Sequence, residues 1–156
     1  MTEPSIVIRT QGWIYSVAHI TNPKTGLQGK FSIEYTAAAA IADREVTMNT
    51  FTVEKLKQLE PLIKKVRRET YPENDRTSNV PCTAEITTKD GRVFEYTTSP
   101  EERFPGNPMT WDVLSDKYRS CMAYHFSTQE TSKSEDLLLR LEQLEQFRDL
   151  VIALTK

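Results

Sequence analysis

Three side chains near the start of an alanine-rich stretch carry the most chemistry in this sequence: Lys30, Ser32 and Tyr35. They offer a cation, a hydroxyl and a phenol. The stretch 31–43 is dominated by Ala and lacks Gly and Pro, so it is expected to be helical. Positions 32 and 35 then share a face, and the N-terminus of a helix attracts anions. That combination suits a carboxylate. A plainer reading fits the same residues: Ser32 caps the helix, and Tyr35 packs with its hydroxyl satisfied. Residue types alone leave both open.

Elsewhere reactive groups are sparse. His19 and His125 are the two histidines, and neither has a second ligand at i+3 or i+4, so no metal site is expected. Each reads as a structural side chain. The sequence has no glycine-rich phosphate loop, no nucleophile elbow and no nucleophile–base pair at recognisable spacing, and no cofactor is implied. Cys82 and Cys121 lack C-x-x-C spacing and are expected to be buried, reduced thiols.

The elements that must position these groups point to one α+β domain, the usual size for 156 residues. A net charge of −2 argues against a phosphate-backbone binder, so nucleic acid is not an expected partner. The first residues lack the basic and apolar segments of a secretory signal, and the longest apolar run, 37–42, falls far short of the ~20 residues that cross a bilayer. A cytoplasmic protein without a membrane span is expected.

Residues 5–10 read as a strand and 21–29 as a loop. Small side chains let another backbone approach closely, so the helix at 31–43 is expected at the centre of the domain. Thr52 is placed to cap a helix over 53–59, and Pro61 to open a second one over 62–66. The cluster Lys64, Lys65, Arg67 and Arg68 reads as a solvated helix end. Segments 82–88 and 92–98 flank an Asp90-Gly91 step, which predicts a tight hairpin, with one sheet face on helices and the other toward water. Thr110 caps a predicted helix carrying Trp111, Leu114, Tyr118, Cys121 and Met122. A capping box at Ser132–Glu135 then predicts a last helix, whose stripe of Leu137, Leu138, Leu141, Leu144, Phe147, Leu150, Val151 and Leu154 is wide enough to serve a partner. The expected architecture is a small, antiparallel-rich sheet with helices on one face, plus C-terminal helices available to a partner domain.

Several strings, in order, resemble the MmgE/PrpD family, which includes 2-methylcitrate dehydratase and cis-aconitate decarboxylase. Asn22-Pro23 and then Gly29-Lys30-Phe31-Ser32-Ile33-Glu34-Tyr35 resemble the family's loop and its KFS-x-x-Y helix start. Val46 to Phe51 resembles its V…F connection, and Lys89-Asp90-Gly91-Arg92 its DGR hairpin. Asn107-Pro108-Met109-Thr110-Trp111 and Lys117-Tyr118-Arg119-Ser120-Cys121 resemble two later segments. The sequence departs from the family at Ala42-Asp43-Arg44 and in the longer loop Pro100–Pro108.

The resemblance implies a lid, residues 1–126, followed by a C-terminal amphipathic helix, 127–156, that packs on a large helical domain. It implies a lyase acting on a citrate-like polycarboxylate, with Tyr35 facing substrate as the catalytic residue and Lys30 and Ser32 as substrate-binding neighbours. The principal histidine and the other polar catalytic groups would come from a helical N-terminal half; the family's K-x-x-P…H stretch at the start of the lid is not found in this sequence, and His19 does not stand in its pattern. An oligomer is expected. The alternative is a non-catalytic assembly module that docks through its Leu stripe.

Overall fold

A computed structural model describes residues 5–71, 81–98 and 108–155. The chain divides into two compact units, Met1–Asn107 and Pro108–Lys156.

The first unit is α+β. Strand β1 (Ser5–Thr10) leads into helices α1 (Gly12–Val17), α2 (Gly26–Gly29) and α3 (Ile33–Asp43), then a 3-10 turn at Met48–Thr50 and helix α4 (Val53–Ile63). Strands β2 (Val66–Thr70), β3 (Thr83–Thr87) and β4 (Val93–Thr97) follow. The sheet order is β2-β1-β3-β4, with β1 parallel to β2 and antiparallel to β3, and β3 antiparallel to β4.

Register explains which face is covered. Ile6 stands opposite both Val66 and Ile86, so these side chains lie on one face and meet Ala38 of α3. Ala38 and Ala39 are fully buried, and their small size brings α3 close to the strands below and to Leu59 of α4. The alanine-rich helix is therefore the central layer. Opposite, Arg9 bonds Glu69 and Glu85 at 3.0 and 3.2 Å across three strands, the polar face expected of a half-covered sheet. The predicted hairpin is present: Thr88 N–H donates to the Arg92 carbonyl at 2.9 Å, and Gly91 takes a φ of 82° that suits glycine.

Three expectations in this unit give way, the first being the loop over 21–29, whose last four residues form α2 behind the Thr25 cap. Helix α4 runs unbroken through Pro61, because Leu59, Leu62 and Ile63 all pack inward and hold both halves on α3. Only Lys64 and Lys65 of the basic cluster sit at the helix end; Arg67 and Arg68 lie in β2, parallel to β1.

The second unit contains α5 (Trp111–Met122), α6 (Thr128–Leu139), a 3-10 turn (Leu141–Gln143) and α7 (Phe147–Ala153). The capping box is at Ser127 and Glu130 rather than at Ser132. It satisfies the first backbone donors one turn earlier, and Ser134 is instead buried within the helix, its hydroxyl 2.6 Å from that of Tyr118. The expected single last helix is also divided: the chain leaves helical geometry at Arg140 and resumes at Phe147, so the Leu stripe is split between α6 and α7. Cys121 is exposed and Cys82 half-buried, neither in a disulfide, which corrects the expectation of two buried thiols. Residues 72–80 and most of Pro100–Pro108 lie outside the described residues. Among the described residues no helix is long and apolar enough to cross a membrane.

Candidate functional site

The segment leading into α3 is built around one tyrosine. Thr25 caps α2 by accepting from Gln28 N–H at 3.2 Å. Gly26 and Gly29 then face the residues that surround Tyr35: a Cβ on Gly26 would meet the Phe51 carbonyl oxygen at 1.8 Å, and one on Gly29 would meet the Tyr35 ring at 2.7 Å. The chain can enter α3 this closely only because both positions lack a side chain.

Ser32 is the N-cap of α3. Its Oγ accepts from Tyr35 N–H at 3.2 Å, and its hydroxyl lies 3.4 Å from Glu34 Oε2. Tyr35 is wholly buried, set edge-on to Phe51 with ring centroids 6.1 Å apart, and its hydroxyl donates to the Thr50 carbonyl. Burial pushes its phenol pKa upward, and the charge of Asp43 pushes it further the same way, so the group is held protonated. Lys30 is exposed, with Nζ 5.6 Å from the Phe51 ring centroid. The three predicted residues are thus neighbours of one aromatic pair, but only Lys30 presents its charge to solvent. Ser32 and Tyr35 form the inner frame.

Two clefts flank this frame. One, of about 400 Å³, is polar and lined by Asp43, Glu45, Thr47, Asn49, Thr50 and Lys55. The Tyr35 hydroxyl ends on the Thr50 carbonyl, at the edge of this cleft, and Lys55 crosses it to Asp43 at 2.7 Å. The other, of about 510 Å³, lies between the Asn22-Pro23 loop and α4, and carries Lys24, Lys57 and Lys64 around Glu34. Of these lysines the sequence singled out Lys64 alone, and as part of a solvated helix end rather than of a cleft. Lys57 and Lys64 both belong to α4 and its C-cap, while Lys24 comes from the Asn22-Pro23 loop, so only the packing of the two brings them to one cleft.

Beneath Glu34 lies Arg68. Its Nε is 3.1 Å from Glu34 Oε1, its guanidinium donates to the carbonyls of Ala18 and His19, and its plane stacks 3.8 Å from the Tyr15 ring. His19 joins Ser32 through a backbone bridge and bonds the Val17 carbonyl through its ring, which gives it a structural place. His125 is in the other unit and exposed. Among the described residues no group of three or more His, Cys, Asp or Glu could hold a metal ion.

Comparison with known proteins gives these features a family. No curated protein matches the chain. The family model described as MmgE/PrpD C-terminal domain matches residues 4–143, which takes in the entire first unit from β1 onward as well as α5, α6 and the turn after them. A match over that much of the chain places every element that surrounds Tyr35 inside one known domain, and the protein belongs to the MmgE/PrpD family as its C-terminal domain.

Proposed function

We propose that this chain is the C-terminal half of a lyase that dehydrates or decarboxylates a citrate-like polycarboxylate, and that it works only with a helical N-terminal half. The observation that carries this reading is the family match across residues 4–143. The chemistry divides accordingly. A base from the helical half removes a proton beside a substrate carboxylate, and the Tyr35 phenol, kept protonated by burial, donates a hydrogen bond or a proton to the oxygen where charge develops. To do so it exchanges the Thr50 carbonyl for a substrate oxygen entering from the polar cleft. Lys30 supplies a positive charge to a substrate carboxylate, and Ser32 completes the wall by fixing the first turn of α3.

The test is reconstitution. Turnover of a tricarboxylate is expected only when the chain and its helical half are mixed, and Tyr35→Phe is expected to remove turnover without unfolding the chain. Unchanged turnover by that variant in the reconstituted pair would overturn the role of the phenol.

A second reading, a non-catalytic assembly module, is favoured by the exposure of Trp111, Leu139, Phe147 and Ile152 in the second unit. It predicts self-association or capture of a partner. A clean monomer by sedimentation, with no binding of an exposed-patch dye, counts against it.

A further inference from the structure

The cleft between the Asn22-Pro23 loop and α4 has a charge balance opposite to that of the whole chain. The protein carries a net charge of −2, whereas this cleft of about 510 Å³ gathers Lys24, Lys57 and Lys64 against Glu34 and Glu60. Both carboxylates are already matched: Glu34 by Arg68 at 3.1 Å, and Glu60 by Lys64 at 2.8 Å. Lys24 and Lys57 are left over. Lys24 Nζ donates to the Asn22 amide oxygen at 2.9 Å, a neutral partner that leaves its charge uncompensated. The Glu60 carboxyl is held below its ordinary range by the hydrogen bond from Lys64 first and by the charge of Lys24 last, so Lys24 acts on α4 from across the cleft. Lys57 is exposed and has no hydrogen-bond or ion-pair partner among the described residues. Much of the remaining wall is hydrocarbon: Pro23 and Val66 are buried, and Leu56 and Ile63 half-buried.

We infer that this cleft binds a small dianion with an apolar body, one anionic end held by Lys24 of the loop and the other by Lys57 of α4. Three observations choose this ligand. Two uncompensated ammonium groups, one from each wall, call for two anionic groups, and such charge-assisted bonds are the strong ones. The hydrocarbon wall favours a ligand that is apolar between its ends, and the volume falls within the range of about 300–1,000 Å³ usual for small-molecule sites. Both walls belong to the first unit, so every group invoked comes from one compact body. A bound dianion would bridge the Asn22-Pro23 loop to α4 and so tie down the segment that leads through α2 to Ser32 and Tyr35. Nothing in this depends on the lyase reading.

The probe is suberate, followed by equilibrium dialysis against the full chain. It is compared with octanoate, of the same length but with one carboxylate, and with inorganic phosphate, which has the charge without the apolar body. Suberate is expected to bind at least about ten times more tightly than octanoate, the scale of one hydrogen bond to a charged group. Lys24→Gln and Lys57→Gln should each remove that preference with helix content unchanged, since both side chains are exposed. Lys65→Gln, beside the end of α4 but outside the cleft, and Lys55→Gln, in the other cleft, should leave the preference intact. An equal loss in Lys65→Gln would mean attraction by overall charge, and a loss in Lys55→Gln would put the ligand in the cleft beside Tyr35; either overturns the inference. So does inorganic phosphate binding as tightly as suberate, which leaves the hydrocarbon wall without a part. Tetraglutamate binding more tightly than suberate, the mark of a surface for acidic peptides, or no saturable binding overturns it as well. All of this is read without turnover, so a failed cleft and a failed lyase reading are told apart.

Discussion

Arg68 of β2 and Glu34 of α3 form a sealed ion pair, 3.1 Å apart, with side chains 7% and 8% exposed. Around it Arg68 also holds the carbonyls of Ala18 and His19 and stacks on Tyr15, so one guanidinium joins β2 to α3 and to the segment after α1. Removing either partner leaves a buried, unpaired charge. Glu34→Ala and Arg68→Ala are each expected to lower unfolding free energy by about 3–5 kcal/mol. The double variant Glu34→Leu/Arg68→Met should lose clearly less than the sum of the two. Urea unfolding of the four proteins checks this, and strict additivity would show that the two residues act independently.

Tyr35 gives the chain a signature at high pH. Its raised pKa comes from burial first and the Asp43 charge second. The folded state therefore favours the neutral phenol. That contribution is fully present below the ordinary tyrosine value of about 10 and is lost as pH rises through the higher folded value. The difference in tyrosinate absorbance at 295 nm between the wild type and Tyr35→Phe should show one tyrosine titrating late. The stability advantage of the wild type over Tyr35→Phe should shrink as pH climbs past that point.

Gly29 separates two opposing effects. Alanine there favours the helical conformation by about 0.5–1 kcal/mol. Its Cβ, however, would stand 2.7 Å from two carbons of a ring held edge-on against Phe51, and overpacking of this kind costs about 1–3 kcal/mol. Destabilisation is expected to win in Gly29→Ala. Gly26→Ala should be worse, because the atom met at 1.8 Å is a backbone oxygen that cannot turn aside. Thermal melts rank the two variants against the wild type.

Ser127 closes α6 by accepting from Glu130 N–H at 3.3 Å while Glu130 accepts from Ser127 N–H at 2.7 Å. Ser127→Ala removes half of this reciprocal cap and is expected to cost about 1 kcal/mol. Ser132→Ala should have a smaller effect, since the cap lies at Ser127. Comparing the two by denaturant midpoint locates the start of the helix in solution.

What the sequence made legible was whatever rests on local chemistry. Alanine content marked α3, Asp90-Gly91 marked the hairpin, and Thr52 and Thr110 marked helix starts, because each acts on its own backbone neighbours. Strand β2 was hidden because Arg67, Arg68 and Glu69 look like a solvated run. It is a strand through its pairing with β1 and through Glu34, which offsets the burial of Arg68 from another element. The site was half legible for the same reason. The position of Tyr35 is written in the string around it, but its burial depends on Gly29, Phe51 and Thr50 converging from three places. The break after α6 follows from no residue type that marks it.

The pairing of β1 sets an order of events for the newborn chain. Ile6 finds Val66 only 60 residues later and Ile86 later still, so the strand made first has no neighbour on either edge until β2 and β3 have been made. Such distant closures slow folding, because loop entropy is lost before any contact rewards it. During synthesis Ser5–Thr10 is an unpaired, β-branched edge of the kind that joins other chains. A ribosome that stalls before residue 66 would leave that edge bare, and the window for aggregation should close once the sequence through Thr87 has emerged and both neighbours can dock.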